Sequence, residues 1–262
     1  MNNPQLGQSK LRLALRRPKL AFYGAPVGIL LLERTSTSDP FDRPFIPGSV
    51  GNASTWSVPV RFKTIPGLSF TKLIASDEDY ASVVVQAASE LVREGARMIT
   101  AHCGFMIRYQ DAVRAAVDVP VVLSPLLLIP LLGQMLPCDK AVGIITAKSS
   151  SLTPEVLKAA GVPTNFDRVA VAGLEHAPCF AAAFLTAGGD LDVSAVEKET
   201  VDASVALLNS RPDIGVLLFE CSELPPYAAA VQRATGIPVF DFTSMVEFVI
   251  GGVIRKPFTG IC

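Results

Sequence analysis

Residues 97–121 and 215–239 overlie one another at a shift of 118 with no gap, RMITAHCGFMIRYQDAVRAAVDVPV against GVLLFECSELPPYAAAVQRATGIPV. Seven of the 25 positions are identical, among them Cys103/Cys221, Tyr109/Tyr227 and Pro120/Pro238, where average composition gives roughly two. The tripeptide VGI at 27–29 recurs at 142–144, a shift of 115. Each half therefore runs from a VGI segment to a cysteine, over 103 − 27 = 76 residues in the first half and 221 − 142 = 79 in the second. A chain made of two such halves is expected to fold as two similar lobes.

The kind of lobe follows from the apolar pattern. Short, continuously apolar runs at 27–33, 97–102, 119–124, 141–147, 168–173, 214–220 and 237–242 read as strands. Helical patterns fall between and after them, at 77–95 and 105–117, then near 153–160, 178–186, 192–209, 224–235 and 244–254. Continuous apolar strands separated by helices mean parallel sheets covered on both faces. The expected fold class is α/β, with two pseudo-symmetric lobes, each a mostly parallel sheet flanked by helices, and an active site in the cleft between them. Residues 1–124 would form the first lobe and 125–242 the second, with the final helix, over 243–262, packing back onto the first. Residues 34–76, rich in Pro, Gly, Ser and Thr, read as a long loop with one strand near 60–65. Residues 1–18 read as an additional, mobile arm.

Composition narrows the partners. The net charge is −1, which gives no electrostatic case for nucleic acid or an anionic membrane. The apolar stretch PLLLIPLLGQML is too short and too proline-broken to span a bilayer and reads as a core or interface helix. Pro18 and Lys19 interrupt the basic start before an apolar core of a secretory signal forms. Five cysteines without a CxxC pair argue against a disulfide framework and a zinc site, and suit a cytoplasmic location. No cofactor is expected, no phosphate-binding glycine loop follows a strand, and a homo-oligomer is compatible with this reading.

In an open parallel sheet, ligands bind beyond the carboxyl ends of the strands. Cys103 and Cys221 each sit at such an end, at a strand-to-helix turn. A helix N-terminus there is expected to lower a thiol pKa toward neutral and to offer N–H groups near Gly104 and Ser222 to a carboxylate. Two thiols facing one carbon from opposite sides can remove a proton on one face and deliver one on the other, inverting a stereocentre without a cofactor.

At these residues the chain resembles the aspartate/glutamate racemase superfamily. The motifs are CGF at 103–105 and ECSELPPYA at 220–228, with IPGSVGNASTW at 46–56 and SSLTPEVLKAAGVP at 150–163, and the resemblance covers roughly residues 19–258. It implies two similar lobes with a cysteine from each acting on a substrate between them, that is, an isomerase independent of pyridoxal phosphate: an amino-acid racemase or epimerase acting on a small carboxylate. Glutamate racemases have Asn-Thr after the first cysteine and Thr-His after the second, where this chain has Gly104-Phe105 and Ser222-Glu223. Their Asp-Ser-Gly motif is also replaced, by LLLERTS. The acid/base pair carries over; the acidic amino-acid substrate does not. An isomerase or decarboxylase of a small dicarboxylate, and a two-lobed binding protein, are the alternatives.

Other candidates each have a plainer reading. Glu33 ends the first strand and reads as an ammonium contact or a solvated carboxylate. Asn52 reads as a substrate contact or a turn support. Thr146, Ser149 and Ser150 make a carboxylate-binding loop or a helix cap, Ser222 a cap or a substrate contact, and Ser124 a further strand-end contact. Phe105, with Met106, suits an apolar substrate side chain. His102 lies beside Cys103, but strand alternation turns it to the opposite face, and its repeat partner Glu220 carries the same caution. Cys138, Cys179 and Cys262 read as structural or incidental.

Overall fold

The computed structural model describes residues 20–34, 40–75, 79–163 and 167–260. The arm expected over 1–18, Cys262 and the start of the helix expected from 77 lie outside the described residues. The described chain is α/β, with two four-stranded parallel sheets flanked by helices. The first sheet holds β1 (Val27–Leu32), β2 (Val60–Ile65), β3 (Met98–Ala101) and β4 (Val121–Val122) in the order β2-β1-β3-β4. The second holds β5 (Ala141–Thr146), β6 (Val169–Gly173), β7 (Ile214–Phe219) and β8 (Val239–Phe240) in the order β6-β5-β7-β8. The two orders are the same, so the sequence repeat corresponds to a repeat of topology.

The VGI echo has a packing cause. A Cβ on Gly28 would lie 2.9 Å from Ile99 Cδ1 and 3.1 Å from Leu91 Cβ; one on Gly143 would lie 2.9 Å from Leu217 Cδ2 and 3.0 Å from Ile214 Cδ1. In each half the glycine of the first strand admits an isoleucine or leucine from the strand that leads to the cysteine.

The strands are buried on both faces, as parallel pairing between helical layers requires. In β1, Val27 and Ile29 pack with Val50, Trp56, Met98 and the helix Phe242–Val253, while Leu30 turns to the opposite face. Leu30 there joins a cluster that contains Ile99 and Ala101 of the first sheet and Val142, Ile144, Val216 and Leu218 of the second. One continuous core therefore runs between the sheets. The far face of the second sheet is covered through Ile145, Leu217 and Phe219, which pack with Val196 and Leu207 of the helix Val193–Ser210.

Several elements differ from expectation. The strands β4 and β8 are two residues long; beside β4 the Gln110 side chain donates to Val121 O and accepts from Leu123 N, where a neighbouring strand would otherwise pair. The helix expected over 105–117 is a 3₁₀ turn, Gly104–Tyr109, followed by α-helix Gln110–Ala116. The helix expected over 178–186 is one α-turn, Pro178–Phe180, continued as a π-turn, Ala181–Leu185. A short helix, Phe70–Ala75, occupies part of the expected loop. The stretch PLLLIPLLGQM is a 3₁₀ turn leading into a short helix, Ile129–Met135. Among the described residues no helix is long and apolar enough to cross a membrane.

Candidate active site

Beyond the carboxyl ends of β1, β3 and β7 lies a cavity of about 160 Å³. Both Cys103 and Cys221 line it, one following β3 and the other following β7. Leu32, Glu33 and Arg34 enter from the end of β1, Phe70 from the helix Phe70–Ala75, and Ala183, Phe184 and Leu185 from the π-turn. Arg43, Ser69, Thr71, His102, Ser222 and Glu223 complete the polar lining.

The thiols do not have the lowered pKa that a helix N-terminus was expected to give them. Burial pushes the Cys103 thiol up, and the Glu220 and Glu223 carboxylates push further, against the backbone N–H groups of Phe105 and Met106. Cys221 goes the same way through burial and Glu220, with the Glu223 N–H opposing, and it feels the charge of Cys103 as well. The physical reason is local. Cys103 leads into a 3₁₀ turn, and Cys221 into an irregular turn before the three-residue Pro225–Tyr227 turn. Neither supplies the aligned dipoles of a long helix, and both cysteines stand among carboxylates.

Glu223 anchors the polar wall. Ser49 Oγ donates to Glu223 Oε2 at 2.7 Å, His102 Nε2 is hydrogen-bonded to Oε1 at 2.9 Å, and Arg34 approaches Oε1 at 3.9 Å. Burial alone would raise this carboxyl, but His102, Ser49 and Arg34 hold it below the ordinary carboxylate value. The Arg34 guanidinium lies 3.8 Å from the centroid of the Phe45 ring, which also meets His102 edge-on at 4.8 Å, and it donates to Arg43 O. These contacts fix a cation at the mouth of the cavity.

Glu220 sits behind this wall, only 1% exposed. Its Oε2 accepts from the Thr146 hydroxyl at 2.8 Å, and its Oε1 has no hydrogen-bond partner among the described residues. Burial raises its pKa to about 7, with the Thr146 bond opposing.

Of the other residues singled out in the sequence, Glu33 and Ser222 line the cavity. Glu33 is exposed and accepts from Gly67 N; Ser222 donates to His102 O at 3.3 Å. The remainder stand elsewhere. Asn52 caps a turn, accepting from Ser54 N and donating to Phe45 O. Ser124 caps the turn at Pro125–Leu128. Phe105 is buried in the core, and Gly104 presses on Glu220. Thr146 serves Glu220, Ser149 is bound to Glu175, and Ser150 is exposed. His102 lines the cavity beside Cys103, contrary to the alternation argument, because β3 ends at Ala101 and strand geometry no longer applies.

Arg34, Arg43, Glu223 and the Phe70 and Phe184 walls were not anticipated. Arg34 carried a usable signal, being a charged residue directly beyond the apolar run 27–33, and Glu223 a weaker one, lying past Cys221 and Ser222 in the turn after the run 214–220. Arg43 and Phe184 come from irregular segments and carried none. Among the described residues no group of three or more His, Cys, Asp and Glu side chains is arranged to hold a metal ion.

No family model matches the chain. It is 30% identical over 224 residues to a dimethylsulfoniopropionate lyase of Durusdinium sp. clade D, covering 82% of this chain and 73% of that protein. It is 31% identical over 232 residues to dimethylsulfoniopropionate lyase 3 of Emiliania huxleyi (strain CCMP1516), covering 84% of this chain and 60% of that longer protein. Solved structures with the same fold include allantoin racemase from Pseudomonas fluorescens (TM-score 0.51, 15% identity, 90% of this chain and all of that one). Unliganded arylmalonate decarboxylase is another (TM-score 0.50, 16% identity, 87% and 92%). The resemblance to the aspartate/glutamate racemase superfamily thus holds as a fold. The expected isomerase class is corrected, because the relatives that share sequence over most of the chain are named as lyases. On that sequence relationship, the chain belongs to the dimethylsulfoniopropionate lyase family, built on the two-lobed racemase fold.

Proposed function

We propose that the cavity carries out a β-elimination on a small zwitterionic sulfonium carboxylate of the dimethylsulfoniopropionate type. One cysteine, as thiolate, takes the proton from the carbon next to the carboxylate. The C–H electron pair becomes the new C=C bond, and the C–S pair leaves with the sulfur. The products are acrylate and neutral dimethyl sulfide, and the abstracted proton stays on the cysteine. The leaving group departs uncharged, so no acid has to protonate it; a racemase, by contrast, must return a proton to the opposite face. The second cysteine, kept as a thiol, donates a hydrogen bond to the carboxylate on which charge gathers as the proton leaves.

The observation that carries this reading is the meeting of Cys103 and Cys221 in one small cavity, in a chain related to lyases of such a substrate. Size and charge support it. A cavity of roughly 150 Å³ accepts a benzene-sized guest, and the 160 Å³ here suits a molecule of comparable size. Arg34 and Arg43 offer positive charge to a carboxylate, while Glu223 and the Phe70 and Phe184 rings suit a cationic headgroup. The coarser statement, a small-molecule enzyme working on a carbon next to a carboxylate, needs only the fold and the two thiols.

The purified chain should release dimethyl sulfide, measured in the headspace, and an equal amount of acrylate from dimethylsulfoniopropionate. Cys103→Ala and Cys221→Ala should each lower kcat by about 10²–10⁴-fold, with their circular dichroism unchanged. Absence of both products from the folded wild-type chain would overturn the reading, as would full activity in either variant.

A further inference from the structure

Two carboxylates flank Cys221 in the chain, and the charge of both acts on both thiols. They are not equivalent. Glu223 is compensated by His102, Ser49 and Arg34. The contacts of Glu220 include no cation among the described residues; its one hydrogen bond comes from the neutral Thr146 hydroxyl. It also reaches across the seam between the sheets. A Cβ on Gly104, the residue after Cys103, would lie 2.0 Å from Glu220 Oε1. Glu220 therefore lies against the backbone beside one cysteine while being the chain neighbour of the other. The remaining charged or titratable groups on this wall are Glu33, Arg34, Arg43 and His102, with Tyr227 packed behind Cys221.

Resting on the elimination reading above, we propose that Glu220 is a positioning residue that keeps Cys103 and Cys221 as neutral thiols in the empty cavity, and that the positive headgroup of the substrate is what permits one of them to become the thiolate base. The thiol proton passes to solvent as the zwitterion enters, so the thiolate is set against the sulfonium while the substrate carboxylate is set against Arg34 and Arg43. In an elimination the sulfonium sulfur sits two carbons from the abstracted proton, about 5–6 Å from the base. At an effective dielectric near 20, a unit charge at that distance moves an ionisation by roughly two pH units. The site would thus select onium compounds through the formation of its own base, in addition to any contact with the headgroup. An analogue without the sulfonium charge would find two unreactive thiols, and electrophiles, acrylate among them, would meet little thiolate between turnovers.

The test reads thiolate by its ultraviolet absorbance across a pH titration, as a difference from the Cys103→Ala/Cys221→Ala double variant. Two ligands are compared at saturation. Dimethylsulfonioacetate carries the cation but has no second carbon from which a β-elimination of sulfide could start, and 3-methylbutanoate is its isostere with the same carboxylate and no sulfonium charge. Dimethylsulfonioacetate should lower the thiolate midpoint and leave it roughly two pH units below that with 3-methylbutanoate, which shares the carboxylate and lacks the cation. In the empty protein, Glu220→Gln should lower the midpoint by one unit or more, and Glu220→Asp should restore it toward wild type. Equal shifts by the two ligands, no shift by the sulfonium compound, or the same midpoint in wild type and Glu220→Gln would each overturn the proposal. No turnover is involved, so failure here with dimethyl sulfide still released leaves the elimination reading intact. Absence of dimethyl sulfide with the expected shifts would refute the elimination reading alone.

Discussion

Glu220 is the buried carboxyl of this site that no cation among the described residues compensates. A buried carboxyl with a single neutral hydrogen-bond donor is costly to ionise, and its pKa rises from 4.5 to about 7. Since the folded-state value exceeds the unfolded one, its contribution to stability is whole below 4.5 and is lost as the pH rises through about 7. Over that window the wild-type chain should lose on the order of 3 kcal/mol from this group. Glu220→Gln should flatten the slope, which urea unfolding at several pH values will read; an unchanged slope would show that Glu220 does not titrate there. Only part of the site is legible in the sequence at this scale. Cys103 and Cys221 stand out because duplication marks them twice. His102 is visible too, but alternation extended one residue past the end of β3 turns it away from the cavity it lines, whereas the same argument correctly keeps Glu220 off the cavity surface. Gly104 and Thr146 suggest the wrong partner: each serves Glu220, a contact between segments far apart in sequence that no local pattern encodes.

At the scale of elements, the strands are legible and their continuations less so. Apolar runs identify β1, β3, β5 and β7 because those strands are buried on both faces. They overstate β4 and β8, where apolar residues pack without sheet pairing. Periodicity also cannot separate α, 3₁₀ and π geometry, so the turn after Cys103 and the wall at Ala181–Leu185 read as ordinary helix. The difference matters, because the π-turn brings Ala183, Phe184 and Leu185 into the cavity wall. The last helix is plain in the sequence, and its start shows why. Asp241 accepts from Ser244 N at 3.0 Å, and Ser244 Oγ accepts from Asp241 N, closing a capping box before an apolar face. Asp241→Ala should cost about 1 kcal/mol of stability, visible as a lower urea midpoint. Because that helix covers the first sheet on the side away from the cavity, KM should stay unchanged.

For the whole molecule, the repeat correctly implies two sheets in the same order, but not how strongly they are joined. Leu30 and Ile99 share a core cluster with Val142 and Leu218. Val50 N donates to Ser222 O, and Ser49 to Glu223, across the same seam. Similar halves could equally have been hinged lobes, and only the cross-packing of distant residues decides against it. Unfolding should accordingly be a single cooperative transition. Trp56, the sole tryptophan, packs beneath the last helix on the first sheet. Its fluorescence and the far-ultraviolet dichroism of the whole chain should therefore change together in urea, whereas separate midpoints would mean two independently folding units.

The placement of one sulfur on each half also bears on how such a protein can diverge. With the cavity walled by both halves of the repeat, a substitution in one half meets side chains of the other. A change near Cys103 is answered by whatever Glu220 presents from the other side, so the halves inherit a shared constraint. New specificities in this lineage would be expected to arise through paired substitutions across the seam.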